Sequence, residues 1–179
     1  MEQNGVGPTA LADGEQAGHG AERLRAVFGT FATGVVAVTA LDKRRGRPTG
    51  IAANSFASVS LAPPLLSFCV ARTSTSWPRL RIADRLCVNI LGAHQQHVSE
   101  RFAAKGEDKA VGLDWFPAPG GAPVVAGSLG WLECSVEQEH PAGDHVIVVA
   151  RVRALGGPRT GDPLVFFRSG YGRFTSDHD

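Results

Sequence analysis

Short polar side chains cluster in a stretch of the sequence that otherwise has the features of a strand. Among the alanines of GIAANSFASVSLAPPLL, residues 50–66, stand Asn54, Ser55, Ser58 and Ser60. A strand that only packs in a core favours Val, Ile and Leu. Asn and Ser offer hydrogen-bond donors and acceptors instead, and small neighbours leave the backbone open. The composition suits a flat heterocycle that needs close backbone approach, whereas spacing alone favours a Ser-rich loop.

A run of hydroxyl groups follows at residues 73–76, in RTSTSWP. Ser76 is a good N-cap for a helix predicted over 78–84, because proline is tolerated in a first helical turn. Hydroxyl and N–H groups at a helix N-terminus also form anion sites. A ligand with a polar ring and a phosphate would use this run together with the stretch around Asn54, although spacing alone favours a simple cap.

A third candidate is the tripeptide GDH, Gly143 to His145, which lies between two predicted strands. Gly and Asp are common in the turn of a hairpin, so a plain turn is one interpretation. Such a turn has no need of His145. The other interpretation is that His145, at the start of the following strand, contacts a substrate.

Several catalytic motifs are absent from the sequence. It has no Walker-type phosphate loop, no G-x-G-x-x-G after a strand and no G-x-S-x-G elbow. His94 and His97 are spaced three apart on a predicted helix, but no acidic or Cys partner completes a metal site, so we interpret them as surface residues. If the protein is an enzyme, a bound cofactor is expected to carry the chemistry.

Composition and charge limit the class of protein to which this chain can belong. With 179 residues and a net charge of +1, the chain suits one domain without a field that would attract nucleic acid or membrane. Cys69, Cys87 and Cys134 lie in apolar runs without C-x-x-C spacing, which predicts free thiols and a reducing cytoplasm. No apolar run approaches the ~20 residues of a membrane helix. Residues 1–20 are Gly-rich and lack the features of a signal peptide, so we predict a disordered or loosely attached tail before one domain at 21–179.

The predicted elements are mostly strands. Apolar or alternating runs predict strands at 35–40, from 50, at 65–71, 86–92, 130–140 and 146–155, and in PLVFFRSGYGRF. Helices are predicted from Ala21 to Gly34, over 78–84, and over 94–106, where Gly106 closes the last one. Because the strands come in a run and do not alternate with helices, we predict a mainly β fold, an antiparallel barrel with a few appended helices.

Seven motifs in order resemble the flavin reductase family, which has a split β-barrel flavin-binding fold. They are FATGVVAVTA, GIAANSFASVSLAPPLLSFCV, STSWP, CVNIL, SERFA, GDH and PLVFFRSGYG. The resemblance runs from about Leu24 to Phe174, nearly the whole chain after the tail. More narrowly, the chain is similar to the reductase components of two-component flavin monooxygenases.

The resemblance implies a role for each of these motifs. It assigns flavin binding to Pro48, Thr49, Gly50, Ile51, Ala52, Asn54, Ser55, Cys69, Val70, Ala71, Thr75, Ser76, Arg101 and Phe102. It assigns contact with the nicotinamide dinucleotide to His145, Phe166, Phe167, Arg168, Ser169 and Tyr171. Within these sets, Thr75 and Ser76 would hold phosphate, and His145 would position the nicotinamide.

By the same resemblance, the protein is expected to be an NAD(P)H:flavin oxidoreductase that passes a hydride from nicotinamide C4 to flavin N5. The cofactors would be FAD or FMN, with NADH or NADPH as the donor and no metal. We expect a cytoplasmic homodimer that supplies diffusible reduced flavin to a separate monooxygenase, and no nucleic-acid or membrane partner. Two alternatives remain: a flavin-binding protein for storage or sensing without reductase activity, and a split-barrel oxidase that retains its flavin.

Overall fold

The computed structural model describes residues 17–106 and 108–174. Residues 1–16 of the predicted tail lie outside the described residues. The first helix, α1 (Ala17–Phe28), begins before the predicted start at Ala21. Val27 and Phe28 are 66% and 68% exposed, and only Leu24 on the predicted apolar face is half-buried. Most of that face is therefore uncovered in the single chain.

Two shorter helices follow. The helix predicted over 78–84 is α2 (Trp77–Leu80), which ends early because the chain turns and the N–H of Ala83 bonds to the carbonyl of Leu80. The helix predicted over 94–106 begins as a 3₁₀ turn at Ala93–Gln95 and continues as α3 (Gln96–Ala103). The backbone becomes extended at Ala104, so this helix also ends before the predicted residue.

Strands form most of the rest of the described chain. In order they are β1 (Thr33–Gly34), β2 (Val36–Asp42), β3 (Arg47–Ala53), β4 (Ala57–Leu61), β5 (Pro64–Ala71), β6 (Leu86–Ile90), β7 (Trp115–Pro117), β8 (Pro123–Val125), β9 (Gly130–Ala142), β10 (His145–Gly156), β11 (Leu164–Phe167) and β12 (Gly170–Arg173). Strands β7 and β8 pair where a loop was predicted. The last predicted strand is a hairpin of β11 and β12, with Arg168 and Ser169 at φ 47° and 63° in a two-residue turn that requires positive φ.

Seven strands form one antiparallel sheet in the order β3-β2-β6-β9-β10-β5-β4, which confirms the predicted mainly β, antiparallel fold. Two smaller sheets, β1-β11-β12 and β7-β8, are attached to it. The large sheet curls around an apolar cluster that includes Val38, Phe68, Leu86 and Val148, closed at one end by Leu80 of α2. Burying these side chains from water is the main term that stabilises the barrel.

The barrel is split between β3 and β5. Strand β3 is the last strand on one side of the large sheet, and it comes close to β5 without forming a ladder with it. Because β3 pairs only with β2 among the described strands, the backbone groups on its other side are left without a strand partner. The fold thus places an open sheet edge beside the small polar stretch of the sequence.

Candidate functional site

A cavity of about 750 Å³ lies in the split between β3 and β5. This volume is within the usual range of small-molecule and cofactor sites. Its walls are the end of β3, the end of β5, the hydroxyl run, the end of α3 with the residues after it, and the start of β10. The lining residues are Ile51, Ala52, Ala53, Asn54, Ser55, Cys69, Val70, Ala71, Thr73, Ser74, Thr75, Phe102, Ala103, Ala104, Lys105, Gly106, Lys109 and His145. Ten of the sequence-predicted site residues are among them.

Ser55, shortly after β3, forms a hydrogen bond across the split to the backbone of β5. Its Oγ accepts the backbone N–H of Cys69 at 2.8 Å and lies 3.4 Å from the carbonyl oxygen of the same residue. The hydroxyl therefore satisfies a backbone donor of β5 that no strand of the barrel reaches. Asn54, beside it, makes no such bond in the described chain, so its amide remains available to a ligand.

Gly50 lies beneath Phe102 and does not line the cavity. A Cβ built on Gly50 would lie 2.7 Å from Phe102 Cε1, closer than real Cβ contacts come. The glycine thus lets α3 pack directly on β3, and Phe102 in turn forms part of the cavity wall. Two preceding residues that were also predicted to bind flavin do not line this cavity. Thr49 is buried, and Pro48 lines a separate cavity of about 260 Å³ beside Trp115.

The hydroxyl run is divided between the cavity and the core. Thr75 lines the cavity with Thr73 and Ser74, but Ser76 is 1% exposed and does not. Ser76 is the N-cap residue of α2, as predicted, but its side chain makes no cap bond, and the N–H of Trp77 donates to Ser74 Oγ at 3.2 Å instead. A helix of four residues also has too short a row of aligned peptides to provide the predicted anion site.

Two lysines that sequence reasoning missed complete the cavity wall. Lys105 and Lys109 lie on either side of Gly106, in the segment that follows SERFA, and both line the cavity. Lys109 Nζ donates to the carbonyl oxygen of Phe102 at 3.0 Å. Burial lowers the pKa of Lys109, and the charge of Arg79 lowers it further. The available signal was composition, since the chain has only three lysines and two of them fall here.

His145 stands at the cavity rim, where β10 begins. Its Nδ1 lies 2.7 Å from Asp144 Oδ1, which fixes the ring and leaves Nε2 free for other contacts. The hydrogen bond with His145 lowers the pKa of the exposed Asp144 carboxyl, and the charges of His145 and, more weakly, Arg25 act in the same direction. His145 lines the cavity, and its contact with a nicotinamide stays a prediction.

A second cavity, of about 810 Å³, adjoins the first and shares Asn54 and Ser55 with it. It is largely apolar and lies between the end of α1, Phe56 and the β11–β12 hairpin, where Phe166 and Ser169 line it. A third, smaller space of about 160 Å³ is lined by Phe166, Asn54 and Tyr171, whose hydroxyl is 2.9 Å from Ser99 Oγ.

The remaining predicted residues lie away from all these cavities. The guanidinium of Arg168 is 5.1 Å from the ring centroid of Phe167, at the hairpin tip. Arg101 points from α3 towards the following loop, where Nη1 donates to the carbonyl oxygen of Val111 at 2.6 Å. The structure of the single chain therefore gives these three residues no contact with the candidate site.

The cysteines are free thiols in two environments. Cys69 is half-buried and lines the first cavity, whereas Cys87 and Cys134 are fully buried. Burial raises the pKa of both buried thiols, that of Cys134 to about 12. Within residues 17–106 and 108–174 there is no group of His, Cys, Asp and Glu that could hold a metal ion. No helix in this part of the chain is long and apolar enough to cross a membrane.

Comparison with known proteins gives consistent matches over most of the chain. The family described as flavin reductase like domain matches residues 28–175. A flavin reductase from Pseudomonas putida is 45% identical over 153 residues, 86% of this chain and 89% of that protein. The reductase subunit HsaB of a flavin-dependent monooxygenase from Rhodococcus jostii RHA1 is 42% identical over 149 residues, 83% of this chain and 75% of that subunit. The structure of the NADH:FAD oxidoreductase SgcE6 from Streptomyces globisporus C-1027, in complex with NAD and FAD fragments, has a TM-score of 0.83 at 33% identity and covers 96% of this chain and 100% of that one.

Proposed function

Since this chain belongs to the flavin reductase family and is a flavin reductase, we propose that it takes its hydride from NADH, reduces FAD or FMN, and releases the product to a separate monooxygenase. Bound flavin would supply the hydride-accepting atom N5. The chain's own residues then have three tasks, which are to bind the flavin ring, to position the nicotinamide against it, and to let the reduced flavin leave.

The cavity between β3 and β5 fits a flavin. The open edge of β3 offers N–H and C=O groups in a row, which suits the alternating acceptors and donor on the polar edge of the isoalloxazine ring. Ala52 and Ala53 keep that edge free of bulk, and Val70 and Ala71 form the opposite wall. Asn54 adds an amide, and the hydroxyl run with the two lysines supplies polar groups for the phosphate-bearing chain.

The observation that carries the proposal is that the two large cavities share the residues Asn54 and Ser55. A donor in the second cavity would meet a flavin in the first at this common wall, with Phe166 and Ser169 on the donor side. His145 would orient the nicotinamide from the rim of the flavin cavity. Asp144 would hold the imidazole ring of His145, because its Oδ1 is 2.7 Å from Nδ1. No side chain has to act as nucleophile or base, since a hydride moves between the two bound molecules.

We further propose that the active form is a homodimer. The support is the exposed apolar surface of a single chain, where Phe28 and Phe31 beside the second cavity are 68% and 76% exposed and Leu61 on β4 is 92% exposed. A partner chain covering the end of α1 would also bound the second cavity. Sedimentation at micromolar concentration tests this, and a stable, fully active monomer would contradict it.

Release of reduced flavin to a monooxygenase is supported by the reductase subunit HsaB, which is named as part of such a system. A cytoplasmic location is proposed from the three free cysteines of the described chain, because thiols stay reduced there.

The test is anaerobic stopped-flow mixing of the purified protein and oxidised FAD, FMN or riboflavin with NADH or NADPH. We expect the flavin absorbance near 450 nm to bleach, fastest with NADH, and the reduced flavin to pass through a membrane filter. Binding without bleaching would identify a storage or sensing protein. A yellow protein that keeps stoichiometric flavin through purification and turnover would identify an oxidase.

A further inference from the structure

We propose that Lys109 selects phosphorylated flavins, FMN and FAD, over riboflavin. The inference rests on the proposed function and adds to it the residue that decides which flavins the protein binds. Of the residues that line the flavin cavity, the lysine and arginine side chains are Lys105 and Lys109. The phosphate of FMN carries close to two negative charges at neutral pH, and the pyrophosphate of FAD carries two in all, so one of these cations is the natural partner for it.

Lys109 is held in a defined position, whereas Lys105 is exposed. Lys109 Nζ donates one hydrogen bond to the carbonyl oxygen of Phe102 at 3.0 Å, and this carbonyl lies in the last turn of α3. An ammonium group has three donors. The structure of the described chain assigns one of them, so two remain for a ligand in the cavity that Lys109 lines.

The surrounding charges favour an anion beside Lys109. Burial lowers the pKa of Lys109, and the positive charge of Arg79 in α2 lowers it further. Arg79 itself is partly compensated by Asp42 Oδ2, 3.8 Å from Nη1. Lys109 has no carboxylate at salt-bridge distance in the described chain. A phosphate would relieve both the cost of burial and the repulsion from Arg79.

The hydroxyls that line the same cavity as Lys109 fit the same ligand. Thr73 and Thr75 are exposed into the cavity and make no hydrogen bond within the described chain, whereas Ser74 is occupied by capping Trp77. Ser76, the phosphate ligand implied by resemblance, is buried outside the cavity. The proposal therefore keeps Thr75 as a phosphate contact and replaces Ser76 with Lys109.

The experiment compares equilibrium binding of FMN, FAD and riboflavin, measured by flavin fluorescence, in wild type and in Lys109→Met, Lys109→Gln and Lys109→Arg. The Gln variant keeps a donor towards the carbonyl of Phe102 but loses the charge, and the Arg variant keeps the charge. Lys43→Met is the matched control, because Lys43 pairs with exposed Asp84 away from the cavity. Riboflavin is the internal reference, since any damage to the ring pocket affects it as well.

We expect the Met and Gln variants to raise Kd for FMN and FAD by about tenfold or more, equivalent to about 1.4 kcal/mol or more, and to change Kd for riboflavin by less than about twofold. The Arg variant should recover most of the affinity, and Lys43→Met should match wild type. Equal weakening of all three flavins would overturn the proposal, since Lys109 would then only support the wall through Phe102. Unchanged FMN binding would overturn it as well. If wild type binds flavins but does not oxidise NADH, the proposed function fails while the selectivity result stands on its own.

Discussion

Replacing Gly50 with alanine tests how closely α3 must pack on β3. The added Cβ would lie 2.7 Å from Phe102 Cε1 and 2.9 Å from the carbonyl oxygen of Val38. The Val38 carbonyl belongs to the backbone of β2, and Phe102 is 2% exposed, so neither neighbour can move aside freely. Overpacking of this kind costs about 1–3 kcal/mol. At about 2–4 °C per kcal/mol for a chain of this size, we expect the melting temperature to fall by about 2 to 12 °C.

The assay is thermal unfolding followed by circular dichroism, with FMN titration of the same samples. Gly172→Ala is the matched control, because Gly172 also lies in a strand and a Cβ there would have no neighbour within 4 Å. Since the ring of Phe102 forms part of the cavity wall, Gly50→Ala should also weaken FMN binding severalfold. If Gly50→Ala melts within about 1 °C of wild type and binds FMN equally well, α3 is not fixed against β3 and this account of Gly50 is refuted.

Three further predictions concern the site and the frame that holds it. His145→Ala should lower kcat/KM for NADH by about tenfold, about 1.4 kcal/mol of transition-state stabilisation, with FAD affinity close to wild type; unaltered NADH kinetics would reduce His145 to a turn residue. N-ethylmaleimide at pH 7.5 should label Cys69 in the open cavity, and bound FMN should block this labelling. Cys87 and Cys134 are buried and have raised thiol pKa values, so they should react only when the protein unfolds. Mass spectrometry of the peptides measures the labelling, and labelling of Cys69 that FMN does not affect would place the flavin elsewhere. Glu133→Gln should lower the free energy of unfolding in urea by about 1.5–3 kcal/mol, because the buried carboxylate accepts backbone N–H bonds at 2.8–3.1 Å from the loop at 120–122. FMN affinity should be unaffected. An unchanged free energy of unfolding would contradict a structural role for this carboxylate.

The strands were predictable because their patterns are strong and local. The apolar run LLSFCVA predicts a strand, and it is β5, whose alternate residues Leu66, Phe68 and Val70 lie in the main apolar cluster. The two short strands β7 and β8 escaped prediction because three residues give no usable period. The hairpin turn at Arg168 and Ser169 was missed for another reason, since neither residue is the glycine or asparagine expected at positive φ.

Of the candidate site, the sequence could identify the stretches but not the direction of each side chain. Ser76 and Thr75 are adjacent in a run of hydroxyls, and only the packing of α2 on the barrel decides that one is buried and the other faces the cavity. The resemblance assigns Gly50 to flavin binding, but it gives no sign of the close contact with Phe102, 52 positions later in the chain. Lys109 was missed because its role depends on a hydrogen bond across the end of α3, for which no spacing rule exists.

The open edge of β3 has a consequence for the protein without ligand. Exposed sheet edges recruit strands from other chains, and this is a common start of aggregation. The sequence RPTGIAA of β3 discourages such recruitment, because proline at Pro48 lacks an N–H, and Gly50 with two alanines offers little apolar surface for a foreign strand. The small residues proposed to leave room for a flavin ring therefore also make the edge of β3 a poor template for a strand of another chain. If flavin binds at this edge as proposed, each release of flavin would expose an edge that does not favour aggregation.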